Sequence, residues 1–205
     1  MAFSSGRNEI QASIEDDATM LSCAVQEINL FYSEKLSEIT CSIEKTKSDY
    51  STECLEILAS MLSSDYQVME WYEELLCLTL NAFIPKVYSY AEKHIEGLLG
   101  RIPCTLKNAS KQYGKEIEDT CGVSDIEKGC YILCKFYNLS FEDIMLIWPG
   151  FKDFHAHRRD IVHRYSGCHP YSNATYIHAN IDAAKEFLSE LERQTRHKPS
   201  VCELT

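Results

Sequence analysis

The stretch FKDFHAHRRDIVHRY, from Phe151 to Tyr165, holds more reactive side chains than any other part of the chain. It follows the turn-forming pair Pro149 and Gly150, which marks a stop in regular structure. Its large apolar residues recur at helical rather than strand spacing. They are Phe151, Phe154, Ile161, Val162 and Tyr165. The stretch is therefore predicted to be an amphipathic helix that begins at Phe151.

The polar residues of this predicted helix combine tandem arginines with a histidine. At about 100° per residue, Arg159 and His163 lie on nearly one face, whereas Arg158 and His163 are roughly 140° apart. One straight helix cannot point Arg158 and His163 at the same atom. Either the helix is distorted here, or a substrate lies in a cleft that both edges face, for example at a two-fold dimer interface.

The first half of the chain also shows helical periodicity. Residues 8–47 are amphipathic over a length sufficient for two helices. A second helix begins near Ser51 and is predicted to stop at Ser63–Asp65. Residues 66–99 form the most apolar helix, which Pro85 is expected to kink by removing a backbone donor.

Two predicted helix starts in the second half carry N-cap chemistry. Ser124 precedes Glu127, and Ser140 precedes Asp143, so each serine can bond the free backbone amides of a first turn. Residues 174–195 form a last amphipathic helix, and no alternating strand pattern occurs. We predict an all-α protein, an antiparallel bundle of five to seven helices.

The 205 residues, 45% of them apolar, are predicted to form a single helical domain spanning 1–205. Residues 101–123 are polar and contain Pro103, Gly114 and Gly122, so they are predicted to be a loop-rich connection with room for one short helix. No apolar run reaches the roughly 18 residues that a membrane span requires. We expect a soluble, cytoplasmic protein without membrane contact.

Charge and cysteine content limit the classes of protein to which this chain can belong. The net charge is −11, and residues 1–75 account for all of it with 15 acids and 4 bases. A local basic patch near Arg158 on such a protein fits a transient enzyme better than a nonspecific RNA coat. Without a secretory signal, the ten cysteines are expected to be buried thiols. Cys130 and Cys134 lack a second pair, so no metal site is predicted.

The order of residues from Arg158 to Tyr165 is Arg-x4-His-x-Tyr, with an Ile-Val pair directly before His163. This motif resembles the signature of the HEPN superfamily of RNA-cleaving and RNA-binding helical domains. Its position late in the chain, before a last helix, is also similar to that family. The resemblance in specific residues covers only 151–165. Many members have Asn, Asp or His where this chain has Arg159, and Asp160 is the residue that can take that place.

The resemblance implies a metal-independent endoribonuclease that needs no cofactor and works as a homodimer, with two motifs meeting across a cleft. A ribose 2′-OH attacks the adjacent phosphate and leaves a cyclic phosphate and a free 5′-OH. This reaction needs a proton shuttle and a cation for the developing charge. We assign these catalytic roles to His163 and Arg158, respectively. The residues expected to bind substrate or support the site are Arg159, Asp160, Arg164 and Tyr165.

The partners implied are RNA and a second copy of the chain. In the HepT-type branch, which shares the tyrosine spacing, the tyrosine is modified by a nucleotidyltransferase antitoxin. The resemblance therefore also implies a toxin or defence effector with a cognate antitoxin. Two alternatives stay open: a catalytically silent HEPN-like module that binds RNA or protein, and an unrelated helical adaptor that uses the acidic first third. For His155 and His157 we favour structural roles, because residues two apart on a helix point to opposite sides.

Overall fold

The computed structural model describes residues 5–49, 55–102, 106–121, 124–164 and 173–196. Within these ranges every regular element is a helix. In chain order the helices are α1 (Ser5–Asp49), α2 (Leu55–Asn81), α3 (Phe83–Leu99), α4 (Leu106–Thr120), α5 (Asp125–Tyr137), α6 (Phe141–Met145), α7 (Phe151–Arg164) and α8 (Ala174–Gln194). The all-α prediction is confirmed. Seven of these helices have at least 13 residues, and α6 is a short element of five.

The first half of the chain is divided into helices at other positions than predicted. Helix α2 continues through Ser63–Asp65, so the predicted stop there is wrong. Serine and aspartate are only weak helix formers, and packing of α2 along α1 outweighs that preference. The chain is interrupted instead at Ala82, and Pro85 lies in the first turn of α3. The interruption adjoins Asn81, whose carbonyl would have accepted the amide hydrogen that Pro85 lacks.

Residues 101–123 contain more helix than predicted. Helix α4 occupies Leu106–Thr120, so a loop-rich connection is the wrong description of most of this segment. The helix is amphipathic: Ile117 is buried and Tyr113 packs partly against the core. Gly114 is tolerated within it because a short apolar stripe can be buried against α5.

Helix α3 lies at the centre of the bundle, where it packs against α1, α5, α7 and α8. The predicted N-caps at the surrounding helices are confirmed by hydrogen bonds. The Ser124 hydroxyl accepts from the Glu127 amide at 3.4 Å, and the Ser140 hydroxyl accepts from the Asp143 amide at 3.2 Å. These caps end the preceding loops and fix where α5 and α6 begin.

Helix α7 is held in the bundle by its two phenylalanines. Phe151 and Phe154 are buried, and both contact Trp148, with ring centroids 5.1 and 5.5 Å apart. Trp148 in turn contacts Phe187 of α8 and donates to Asn180 at 3.1 Å. Burial of each phenylalanine stabilises the fold by about 1.5–3 kcal/mol. The N-terminal half of α7 is therefore fixed, which sets the direction of the polar residues that follow.

A close approach between α3 and α5 depends on Gly129. A Cβ atom at this position would collide with the side chain of Ile95. We expect Gly129→Ala to lower the free energy of unfolding by about 1–3 kcal/mol, because overpacking forces neighbouring side chains and backbone to shift. Urea denaturation followed by circular dichroism measures the change. Gly97→Ala is the matched control, since no atom lies near its added Cβ; equal stability losses in the two variants would contradict the close-approach explanation.

The cysteines fit the prediction only in part. The buried free thiols are Cys121, Cys130 and Cys134. Cys23 and Cys41 are exposed, and Cys77 is disulfide-bonded, so the expectation of buried thiols is wrong for these three. Separately, none of the helices in the described ranges is long and apolar enough to cross a membrane.

Candidate functional site

Arg158 lies on the edge of α7 that faces α3. Its guanidinium carbon is 4.8 Å from the centre of the Tyr88 ring. The Tyr88 hydroxyl is hydrogen-bonded to the Ser124 hydroxyl at 2.8 Å, which ties this ring to the start of α5. A cation over an aromatic face is stabilised without using its N–H donors. The stacking therefore positions Arg158 and leaves its donors available to a ligand.

The donors of Arg158 have no protein acceptor within the described part of the chain. Its Nε atom is buried without a hydrogen-bond partner, and the guanidinium forms no ion pair with a described residue. Arg158 does interact electrostatically with Glu92: burial raises the pKa of that carboxyl, and Arg158 offsets part of the rise. An arginine held in place but not neutralised is suited to binding a phosphate.

His155 lies beside Arg158 in the same aromatic setting. Its ring centroid is 5.5 Å from that of Tyr88, and it stacks on Phe151 at 6.1 Å. Burial lowers the pKa of His155, and Arg158 and Arg159 lower it further, so the imidazole is neutral near pH 7. Its Nδ1 atom is buried without a hydrogen-bond partner. His155 is thus part of the Arg158 environment.

His157 faces the opposite side of α7, as predicted. Its Nδ1 atom is 2.6 Å from the hydroxyl of Tyr176 on α8. Burial raises the pKa of Tyr176 to about 12, so the hydroxyl stays protonated and can donate to His157. This contact fastens α7 to α8, and the structural role predicted for His157 is supported.

His163 and Arg159 lie on the outer surface of α7. Both are exposed, and Arg159 Nε is 3.9 Å from Asp160 Oδ1, an oxygen atom that is itself buried. The apolar neighbour Val162 is also 41% exposed. No hydrogen bond or ion pair joins His163 to Arg158 among the described residues. The structure therefore places the two catalytic candidates on different edges of one helix.

Arg164 and Tyr165, two predicted supporting residues, lie at the end of α7 and beyond it. The backbone of Arg164 ends α7, but its side chain and the whole of Tyr165 lie outside the described residues. Sequence reasoning missed Tyr88 and Ser124, which position Arg158 from α3 and the start of α5. The cap pattern marked Ser124 as a helix start, whereas no local pattern signalled Tyr88.

No group of three or more His, Cys, Asp or Glu side chains placed to hold a metal ion occurs in the described ranges. No protein-family model, curated protein or solved structure matches the chain.

Proposed function

We propose that the protein is a metal-independent endoribonuclease of HEPN type that acts as a toxin or defence effector. The observation that carries the proposal is that Arg158 and His163 lie on two different edges of α7. On one edge Arg158 is held over Tyr88 and forms no ion pair with a described residue, and on the other His163 is exposed to solvent. A cation and a free imidazole are the two groups that 2′-OH attack on a phosphate requires.

The proposed chemistry assigns one task to each side chain. His163 accepts the proton of the ribose 2′-OH as this oxygen bonds to phosphorus, and it returns a proton to the departing 5′-oxygen. Arg158 stabilises the negative charge that develops on the phosphate oxygens. The products are a 2′,3′-cyclic phosphate and a free 5′-OH. Arg159 holds a flanking phosphate with its planar fork.

The separation of the two edges favours a site built from two copies of α7. In a two-fold dimer, the Arg158 edge of one protomer can face the His163 edge of its partner across a cleft. The exposure of Val162 beside His163 supports this arrangement, because an apolar side chain at this position gains from being covered by a second protomer.

We expect light scattering at micromolar concentration to return twice the 23.5 kDa of the chain. A second measurement tests the shared cleft directly. Mixed dimers of Arg158→Ala and His163→Ala protomers should regain activity, because one of their two clefts then holds both functional side chains. A mass of 23.5 kDa alone, or mixed dimers as inactive as the parents, would contradict a shared site.

Cleavage is expected to continue undiminished in excess EDTA, because side chains perform both the proton transfer and the charge stabilisation. Purified protein is incubated with total RNA, and the 3′ ends of the fragments are analysed for cyclic phosphate. Loss of cleavage on chelation, with recovery on adding one divalent metal, would refute the metal-independent mechanism.

The main alternative is a catalytically silent HEPN-like module, and Arg159 is the observation that favours it. This arginine occupies the position at which many HEPN members have Asn, Asp or His. A silent module would retain RNA in a gel-shift experiment without producing any fragment, and binding would fall in Arg158→Ala. The same incubation with total RNA therefore separates the two functions.

A further inference from the structure

The second half of α1 and most of α2 form a two-helix arm outside the central core. Between residues 29 and 49 only Ile43 is buried, and no described side chain of α2 before Leu80 is buried. Tyr32 contacts Tyr72, whereas Lys47, near the end of α1, contacts Tyr66, near the start of α2. The two helices of the arm are therefore antiparallel.

Four aromatic rings cross the arm in a continuous chain. Phe31 contacts Tyr32, Tyr32 contacts Tyr72, and Tyr72 contacts Trp71, with centroid distances of 5.2, 6.2 and 5.2 Å. The two tyrosines meet between the helices. Moving back by one residue rotates the side-chain direction by about 100° around a helix. In two antiparallel helices these rotations have opposite senses, so the residues that precede Tyr32 and Tyr72 point to the same side of the arm. Phe31 and Trp71 thus share one side of the arm, where they are 52% and 56% exposed.

Other exposed apolar residues lie on this side. Val68 and Leu78 are three and seven residues from Trp71, within about 60° of it around α2. Met20 lies in the first half of α1, where the arm joins the core, eleven residues before Phe31 and within about 20° of it around the helix. Met20 also lines a groove of about 510 Å³ between α1 and α3. We call these five exposed residues the arm face: Met20, Phe31, Val68, Trp71 and Leu78.

The arm face is about 31 Å long. The hydroxyl oxygens of Tyr32 and Thr79 are 3.4 Å apart, so these two residues lie at a similar height along the arm. Their neighbours Phe31 and Leu78 therefore also lie at a similar height. From there the face extends about 16 Å along α1 to Met20 and about 15 Å along α2 to Val68. A helix of about 20 residues covers this length. Large apolar side chains exposed along one side of a helix pair mark a candidate interaction site.

The charge around the arm face specifies the occupant. Helix α2 contains no lysine or arginine, and its described side chains include four carboxylates: Asp65, Glu70, Glu73 and Glu74. Residues 26–49 of α1 add five acids against three lysines. A second copy of the arm would bring these like charges together, which opposes association. A cationic partner gains attraction from the same charges.

We propose that the arm face is the docking site for a basic amphipathic helix of a partner protein. The apolar stripe of that helix covers Phe31, Trp71 and Leu78, and its lysines or arginines lie beside the carboxylates of α2. This mode of recognition uses anchors at helical spacing in an apolar groove. The site is independent of α7 and does not require the nuclease activity.

The test uses two synthetic helical peptides of 20 residues that share one leucine stripe. The probe has lysine at its polar positions, and its charge-reversed control has glutamate. Trp71 is the reporter, because Trp148, the other tryptophan of the chain, is buried and its emission should not change. We expect the lysine peptide to shift the Trp71 emission to the blue and the glutamate peptide to leave it unchanged.

The double variant Phe31→Ser/Leu78→Ser is expected to raise the Kd of the lysine peptide at least about tenfold, since two central anchors are lost. Both positions are exposed, so the fold should survive, and circular dichroism checks this. Leu146→Ser is the matched control, because Leu146 is exposed but lies outside the arm. Its Kd should equal that of the unchanged protein.

Three results would overturn the proposal: no binding of the lysine peptide, equal binding of both peptides, or an unchanged Kd in the double variant. Light scattering supplies a fourth. A dimer that Phe31→Ser/Leu78→Ser converts to monomer would assign the arm face to a second copy instead of a partner helix. None of these outcomes depends on RNA cleavage, so failure here and failure of the nuclease proposal are distinguishable.

Discussion

The His163→Ala variant is expected to cleave RNA about 100 to 10,000 times more slowly than the unchanged protein, the range typical of general acid-base catalysis. The imidazole is exposed on α7 and makes no hydrogen bond or ion pair with a described residue that the fold would lose. The melting temperature should therefore stay the same, since exposed substitutions usually change stability by less than about 0.5 kcal/mol. Initial rates on a labelled RNA and a thermal melt measure the two quantities.

Lys152→Ala provides the control for His163→Ala. Lys152 is also exposed on α7, three turns before the histidine, and its loss should leave the rate within a small factor of the original. A His163→Ala protein with full activity and an unchanged melting temperature would reject the active-site assignment. A fall in rate that matched a fall in melting temperature would instead indicate a packing role.

The Arg158→Ala variant is expected to lower the rate of RNA cleavage by a factor of about 100 to 1,000, the usual effect of removing one donor to developing negative charge. Arg158→Lys should recover only part of this loss, because an ammonium lacks the bidentate fork of a guanidinium. Arg158 also stacks on Tyr88, so Arg158→Ala should lower stability by about 0.5–2 kcal/mol. Rates at saturating RNA measure the loss of catalysis, and a thermal melt measures the small loss of stability.

Arg159→Ala is the matched control for Arg158. Arg159 is exposed and its assigned role is to hold a flanking phosphate, so its loss should raise KM with little change in kcat. Equal falls of kcat in the two variants would show that the tandem arginines act as one binding patch. Full activity in Arg158→Ala would remove the charge-stabilising role from this residue.

The sequence by itself determined those features that depend on neighbours within one or two turns. Ser124 and Ser140 could be identified as caps because the amides they bond are three residues away. The start of α7 followed from Pro149 and Gly150. The opposite orientations of His155 and His157 followed from helical geometry alone, and the structure confirms them through Tyr88 and Tyr176.

Only the tertiary structure decided how the helices divide and what their side chains meet. Helix α2 passes through Ser63–Asp65 because packing along α1 outweighs weak local preferences. Tyr88 supports Arg158 from a position 70 residues earlier, a contact that no periodic pattern contains. The same holds for Phe31 and Trp71, which local spacing does not distinguish from core residues. Their exposure is set by the position of α2 beside α1, since burial depends on the neighbouring helix and not on the residue itself.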